Sequence, residues 1–178
     1  LEKSVTEWHK ENGLPADIIP WDSTPLMQQL SKKSFGATLV PYMDCCSANI
    51  HLPMERFVIE NNVTDVIRGS KACDTVVGVK DGFVGNGTTY HSPLWNWSHE
   101  DVFNYIKMYD ITILDNYKDP DSDSLDCWNC TGHMGKTGAA RVRYVKENLP
   151  EHYDELAANI ALVKSTLQNA IDHYNEGS

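Results

Sequence analysis

Five cysteines are the residues of this chain best suited to chemistry. Cys45 and Cys46 are adjacent, Cys73 stands alone, and Cys127 and Cys130 frame a C-x-x-C. An odd number argues against a closed disulfide framework. Vicinal cysteines do not easily bond to each other, and a C-x-x-C in a reducing compartment reads as metal-binding or redox-active. The two pairs together read Cys-Cys-x80-Cys-x-x-Cys, with residues 47–126 between them. Four thiolates drawn from two distant loops can hold a tetrahedral zinc ion or a cubane iron–sulfur cluster. Two adjacent cysteines on one zinc would strain the backbone between them, whereas a cubane offers each sulfur a separate iron. Iron–sulfur is therefore the first reading, zinc the second and a redox dithiol pair the third. Cys73 reads first as a buried, inert thiol and second as a low-pKa thiolate near Lys71. His91, His99 and His133 read as surface histidines, although His133 follows Cys130 by three and has the spacing of a spare ligand.

The elements that must position these thiols are helices alternating with short strands. Leu1–Asn12 reads as a helix stopped by Gly13, with Leu1, Val5 and Trp8 at i, i+4, i+7. Ala16–Pro20 reads as a strand end. Thr24–Lys33 reads as a helix with Thr24 as N-cap and Pro25 at its first position. Phe35–Cys46 reads as a loop running into the vicinal pair. Ile50–Asn61 reads as a helix and Val63–Arg68 as a buried strand. Thr75–Tyr90, rich in glycine, reads as turns or a small hairpin. Ser98–Tyr109 is the clearest helix, capped by Ser98 with Asp101 at N3. Asp115–Asp126 is an Asp-rich loop, and Gly135–Glu147 turns helical towards its end. In the last element, Tyr153, Leu156, Ile160, Val163, Leu167, Ala170 and Tyr174 follow steps of three and four. That seam serves either a terminal helix packed on its own domain or a homodimer helix. The alternation predicts an α/β layer architecture.

Composition bounds the function. The 178 residues, 20.1 kDa, carry 15 Lys+Arg against 25 Asp+Glu, a net charge of −10 and a pI of about 5.0. The length predicts a single domain, residues 1–178, with a C-terminal helix at 151–175. An acidic chain lacks the basic footprint that neutralises phosphates, so direct nucleic-acid binding is not expected. No apolar run reaches the ~18–20 residues that span a bilayer, so no membrane partner is expected. Asn62, Asn86, Asn96 and Asn129 begin Asn-x-Ser/Thr sequons, but Asn129 lies inside the C-x-x-C, where a glycan would block its use. Cysteine usage points to a reducing, cytoplasmic setting.

Four stretches resemble the adenylyl-sulfate and phosphoadenylyl-sulfate reductases, and more widely the ATP-pyrophosphatase-like fold. Cys45-Cys46-Ser-Ala-Asn-Ile-His-Leu-Pro53 resembles that family's Cys-Cys-x-x-x-Lys-x-x-Pro. Val66-Ile-Arg-Gly-Ser-Lys-Ala-Cys-Asp-Thr75 is similar to its Gly-x-Arg-x-x-Glu-Ser segment. Ser92-Pro-Leu-Trp-Asn-Trp-Ser-His-Glu-Asp-Val102, with Tyr105-Ile106, is similar to its Pro-Leu-x-x-Trp-x-x-x-Asp-Val-x-x-Tyr-Ile. Cys127-Trp-Asn-Cys-Thr131 looks like its Cys-x-Pro-Cys-Thr, followed by an Arg-bearing stretch comparable to Ala139–Tyr144.

The resemblance implies a Rossmann-like three-layer fold with a mostly parallel sheet and a long C-terminal helix. It implies a 4Fe–4S cluster on Cys45, Cys46, Cys127 and Cys130 beside the site of a sulfonucleotide, adenylyl sulfate or its phosphorylated form. It also implies thioredoxin or glutaredoxin as the dithiol that releases sulfite. Such an anion needs cationic donors, for which Lys71, Arg141 and Arg143 stand at or near the family's basic positions. Asp74 and Thr75 occupy the Glu-Ser positions.

The chain departs from the pattern in three places. No Ser-Gly-Gly-x-Asp-Ser phosphate loop occurs, and Leu1 aligns after it, so the expectation is that the chain corresponds to the later part of the family domain. No cysteine follows Cys130, which leaves the catalytic nucleophile without an assigned bearer. Ile50 stands where the family has lysine near the cluster. Two other functions compete: a sulfur-transfer enzyme like those of DNA phosphorothioation, and a non-enzymatic domain with a structural metal site built from the four paired cysteines.

Overall fold

The structure is a computed structural model that describes residues 4–16, 25–74, 80–118, 124–125, 127–132, 135 and 137–176. The chain is mixed α/β. In order its elements are α1 (Val5–Asn12), β1 (Leu14–Ala16), α2 (Pro25–Leu30), β2 (Leu39–Pro41) and α3 (Tyr42–Cys46). A π-helical turn (Ser47–His51) leads into α4 (Leu52–Glu60), followed by β3 (Asp65–Ile67), β4 (Phe83–Gly85), β5 (Thr88–His91) and α5 (His99–Met108). A 3-10 turn (Asp115–Lys118) precedes α6 (Gly138–Asn148) and α7 (Pro150–Glu176). The elements group into two compact units, one of Leu1–His51 with Leu114–Ser178 and one of Leu52–Ile113. No described helix is long and apolar enough to cross a membrane.

In the first unit, β1 and β2 pair in parallel, with Leu14 opposite Leu39 and Ala16 opposite Pro41. Ser4 caps α1 through a capping box with Glu7. Gly13 ends α1 at φ 114°, a conformation few side chains tolerate. Leu14, Leu30, Leu39, Val163 and Ala170 form the core, with Phe35, Ala37 and Leu167 packed against it. Seam residues Leu156, Val163 and Ala170 of α7 are thus buried within their own unit. Thr166, also buried, accepts a 3.0 Å hydrogen bond from the Ala37 amide, tying the segment before β2 to α7.

The second unit is a three-stranded sheet in the order β3-β5-β4, flanked in sequence by α4 and α5. β5 runs parallel to β3 and antiparallel to β4. The Ser98–Asp101 capping box expected for α5 is present.

Several expectations change. The strand expected over Val63–Arg68 is shorter and not buried, with Ile67 78% exposed. Its neighbour is a hairpin strand of threonine, tyrosine and histidine, which covers little apolar surface. Phe35–Cys46 is not a loop throughout. Leu39 and Val40 pair with β1, and Pro41, unable to donate to the ladder, ends β2 and starts α3. Thr24, Pro20, Thr75 and His133 lie outside the described residues.

Candidate metal centre

The vicinal pair sits at the end of α3, directly after β2. Cys45 faces inward and is buried, while Cys46 is half-buried. Successive helical residues point about 100° apart, so the two thiols diverge. The π turn that follows folds Asn49 back, and its amide donates to the Cys45 carbonyl at 2.9 Å and to Cys45 Sγ at 3.6 Å. Such turns are rare and concentrate at functional sites.

The second pair sits in a tight turn, with the Cys130 amide donating to the Cys127 carbonyl at 3.0 Å. Three elements hold that turn. Thr131 Oγ1 donates to the Pro15 carbonyl in β1. Asn129, buried, donates to Thr6 Oγ1 in α1 at 3.4 Å. Arg141 in α6 donates to the Cys127 carbonyl at 3.1 Å and to the Cys130 carbonyl at 2.6 Å. Gly132 completes the approach, since a Cβ there would lie 2.7 Å from Tyr42 Cβ, at the start of α3. A side chain at 132 would push the turn away from the helix that carries Cys45 and Cys46.

The two pairs therefore meet. Burial pushes the Cys45 thiol up to about 12, and the neighbouring thiols of Cys46, Cys130 and Cys127 add to the shift. The Asn49 contact opposes it. The Gly132 amide donates to Cys130 Sγ at 3.3 Å. His9, in the middle of α1, brings Nε2 to 3.4 Å from Cys45 Sγ. Burial lowers the His9 pKa, with Glu155 opposing, so the imidazole is neutral at pH 7. His9 is a site residue that sequence reading missed. The only hint was a histidine on the apolar side of an amphipathic helix.

The donor set fits a thiolate-bound metal group. The Cys127–Cys130 turn lies against the helix that carries Cys45 and Cys46, and N–H groups approach the two buried sulfurs. The raised Cys45 pKa means that a bound cation must displace a proton there. Tetrahedral zinc at about 2.3 Å from each sulfur needs sulfurs about 3.8 Å apart. Among the described residues, no three of these sulfurs lie within 4.8 Å of one another.

The basic residues do not converge. Arg141 is buried and its guanidinium is used on the Cys127–Cys130 turn. Arg143, two residues on, is exposed on another face of α6 beside a small cavity of about 150 Å³. Lys71 belongs to the second unit, where its ammonium pairs with Asp74 at 2.8 Å. In the first unit a cleft of about 550 Å³ is lined by Thr6, His9, Lys10, Lys33, Thr38 and Asn159, among others. Its wall includes the histidine that touches Cys45, and its cations Lys10 and Lys33 were not singled out from sequence. Cys73, expected to be buried, is exposed. Comparison with family models, with curated proteins and with solved structures finds no match to this chain.

Proposed function

We propose that this chain is a sulfonucleotide reductase-like protein of Rossmann-like build whose Cys45, Cys46, Cys127 and Cys130 hold a 4Fe–4S cluster. One observation carries the reading. The Cys127–Cys130 turn is packed through Thr131 and Gly132 against Pro15 and Tyr42, beside the helix that carries Cys45 and Cys46, although residues 47–126 separate the pairs. The diverging vicinal pair supports a cubane over zinc. β1 and β2, parallel and followed by the cysteine helix, support the Rossmann-like comparison.

Bound there, the cluster would supply a redox-capable charge beside an anionic substrate. The chain's own residues do the rest. Lys10 and Lys33 are the cationic donors of the adjacent cleft for a sulfate or phosphate group, its wall also carrying Glu11 and Glu155, and His9 lines the cleft while touching Cys45. The substrate is adenylyl sulfate or its phosphorylated form, and thioredoxin or glutaredoxin supplies the dithiol. A second reading, a structural metal site on the same four cysteines, is favoured by Arg141 being used on the cysteine turn. Sulfur transfer within the same family is the third.

The test begins with anaerobic purification of the chain. We expect a brown protein with about four irons and four sulfides per chain, lost in Cys45→Ser. Sulfite should then be released from a sulfonucleotide in the presence of a dithiol reductant. A colourless protein holding one zinc overturns the cluster reading. A brown protein that releases no sulfite overturns the reductase reading.

A further inference from the structure

A second group of ligand atoms lies in the other unit, away from the paired cysteines in sequence. Cys73, Asp74 and His99 each offer one atom, and all three atoms lie within 4.8 Å of one another. His99 Nε2 is 3.8 Å from Asp74 Oδ1. We propose that these residues form a distinct binding site for a borderline divalent cation such as zinc, with an open fourth position.

The chemistry of the donors selects the ion. One thiolate, one imidazole and one carboxylate suit zinc or cobalt, whereas magnesium and calcium ask for oxygen donors throughout. Tetrahedral zinc at about 2.0–2.3 Å from such ligands sets them about 3.3–3.8 Å apart. The N–O pair of such a site lies at about 3.3 Å, so His99 and Asp74, at 3.8 Å, and Cys73 each need a small approach.

The three residues are held for it. The Ala72 amide donates to the Trp95 carbonyl at 2.9 Å, and Cys73 Sγ donates to the Trp97 carbonyl at 3.6 Å. The loop carrying Cys73 and Asp74 is thereby stitched to the segment that starts α5. The Ser98–Asp101 capping box fixes that start, and His99 is its first helical residue. The Lys71 amide donates to Asp74 Oδ2 at 3.0 Å, and the Lys71 ammonium spans both carboxylate oxygens, 2.9 Å from Oδ2 and 2.8 Å from Oδ1, so an ion that binds through Oδ1 displaces the ammonium from that oxygen while the amide keeps hold of Oδ2. The positive end of the α5 dipole opposes a cation modestly, and Glu100 and Asp101 in the first turn offset it. All three ligands are exposed, so an ion has a direct entry path.

The probe is Co²⁺ added to the full-length protein as isolated, with its paired cysteines in whatever state they hold. We expect one equivalent to bind with a thiolate-to-cobalt absorption band and tetrahedral visible bands. Cys73→Ser should abolish the thiolate band, and His99→Ala should lose the equivalent. Cys45→Ser should keep both. The two altered side chains are exposed, and far-ultraviolet circular dichroism should confirm that each variant is folded. Failure of the wild type to bind cobalt, or equal binding by wild type, Cys73→Ser and His99→Ala, overturns the proposal. Because iron content reads the paired cysteines separately, this result is independent of the proposed cluster.

Discussion

The two units treat their apolar residues in opposite ways. Every buried hydrophobic residue among those described, from Leu14 to Ala170, belongs to the first unit. In the second, the described buried residues are Thr88 and Ser92, both polar. Phe57, Ile67 and Met108 there are 63%, 78% and 74% exposed. The first unit is held by burial around α7. The second is held by a short ladder, a capped helix and side-chain contacts such as His91 on Asp65 at 2.8 Å. The cysteines follow the same division. The packed unit buries Cys45 and Cys130 and raises the Cys45 thiol, while the open unit leaves Cys73 accessible. A ligand site inherits its dielectric from the unit that carries it.

The largest effect should come from testing that contrast in stability. Leu156→Ala removes a fully buried side chain from α7 and should cost about 2–5 kcal/mol in chemical denaturation. Phe57→Ala in the second unit should change stability by less than about 0.5 kcal/mol. Equal costs would mean that the two units are not packed differently.

A smaller effect is expected beneath the cysteine turn. Arg141→Lys keeps the charge but cannot span two carbonyls. It should cost about 1.5–3 kcal/mol and lower the metal retained after gel filtration. Arg143→Lys, on an exposed face away from the two carbonyls, should cost less and leave the metal retained unchanged. If Arg143→Lys were the more damaging change, Arg143 and not Arg141 would be the residue supporting the site.

The third prediction compares single thiols in metal-free protein. A soluble alkylating reagent near neutral pH should modify Cys73 first and spare Cys45, as peptide mass mapping would show. Cys45 should become reactive only as pH climbs, because burial holds it as a thiol up to about 12. The sign for stability follows. The folded pKa lies above the ordinary value of 9.0, so the contribution is intact below about pH 9 and is lost as pH rises towards 12. Cys45→Ala should flatten that alkaline loss, and early labelling of Cys45 in folded protein would contradict its burial.

Much of the local structure was legible in the sequence because it depends on neighbours in the chain. The α5 capping box needs only Ser98 and Asp101 three residues apart. The Gly13 stop, the hairpin ending at His91 and the periodic face of α7 are likewise short-range. The paired cysteines were legible as candidate ligands by residue type and spacing alone. What was not legible depends on long-range packing. The β2–α3 junction was read as a loop because three residues carry little pattern without β1 beside them. His9 and Arg141 look like ordinary helical residues until α1 and α6 are placed against the two cysteine segments. Cys73 looked inert because no local rule announces that a loop is stitched to Trp95 and Trp97.

The sequence by itself thus determined the donor inventory, the acidic charge, the capped helices and the seam of α7, since these follow from side-chain chemistry and periods of a few residues. Only the tertiary structure decided which donors share a site. Burial raises Cys45 beside three other thiols, Arg141 turns from a substrate candidate into a brace, and Cys73 finds Asp74 and His99. Each of those outcomes depends on distances between segments far apart in the chain, and on the water that packing excludes or admits.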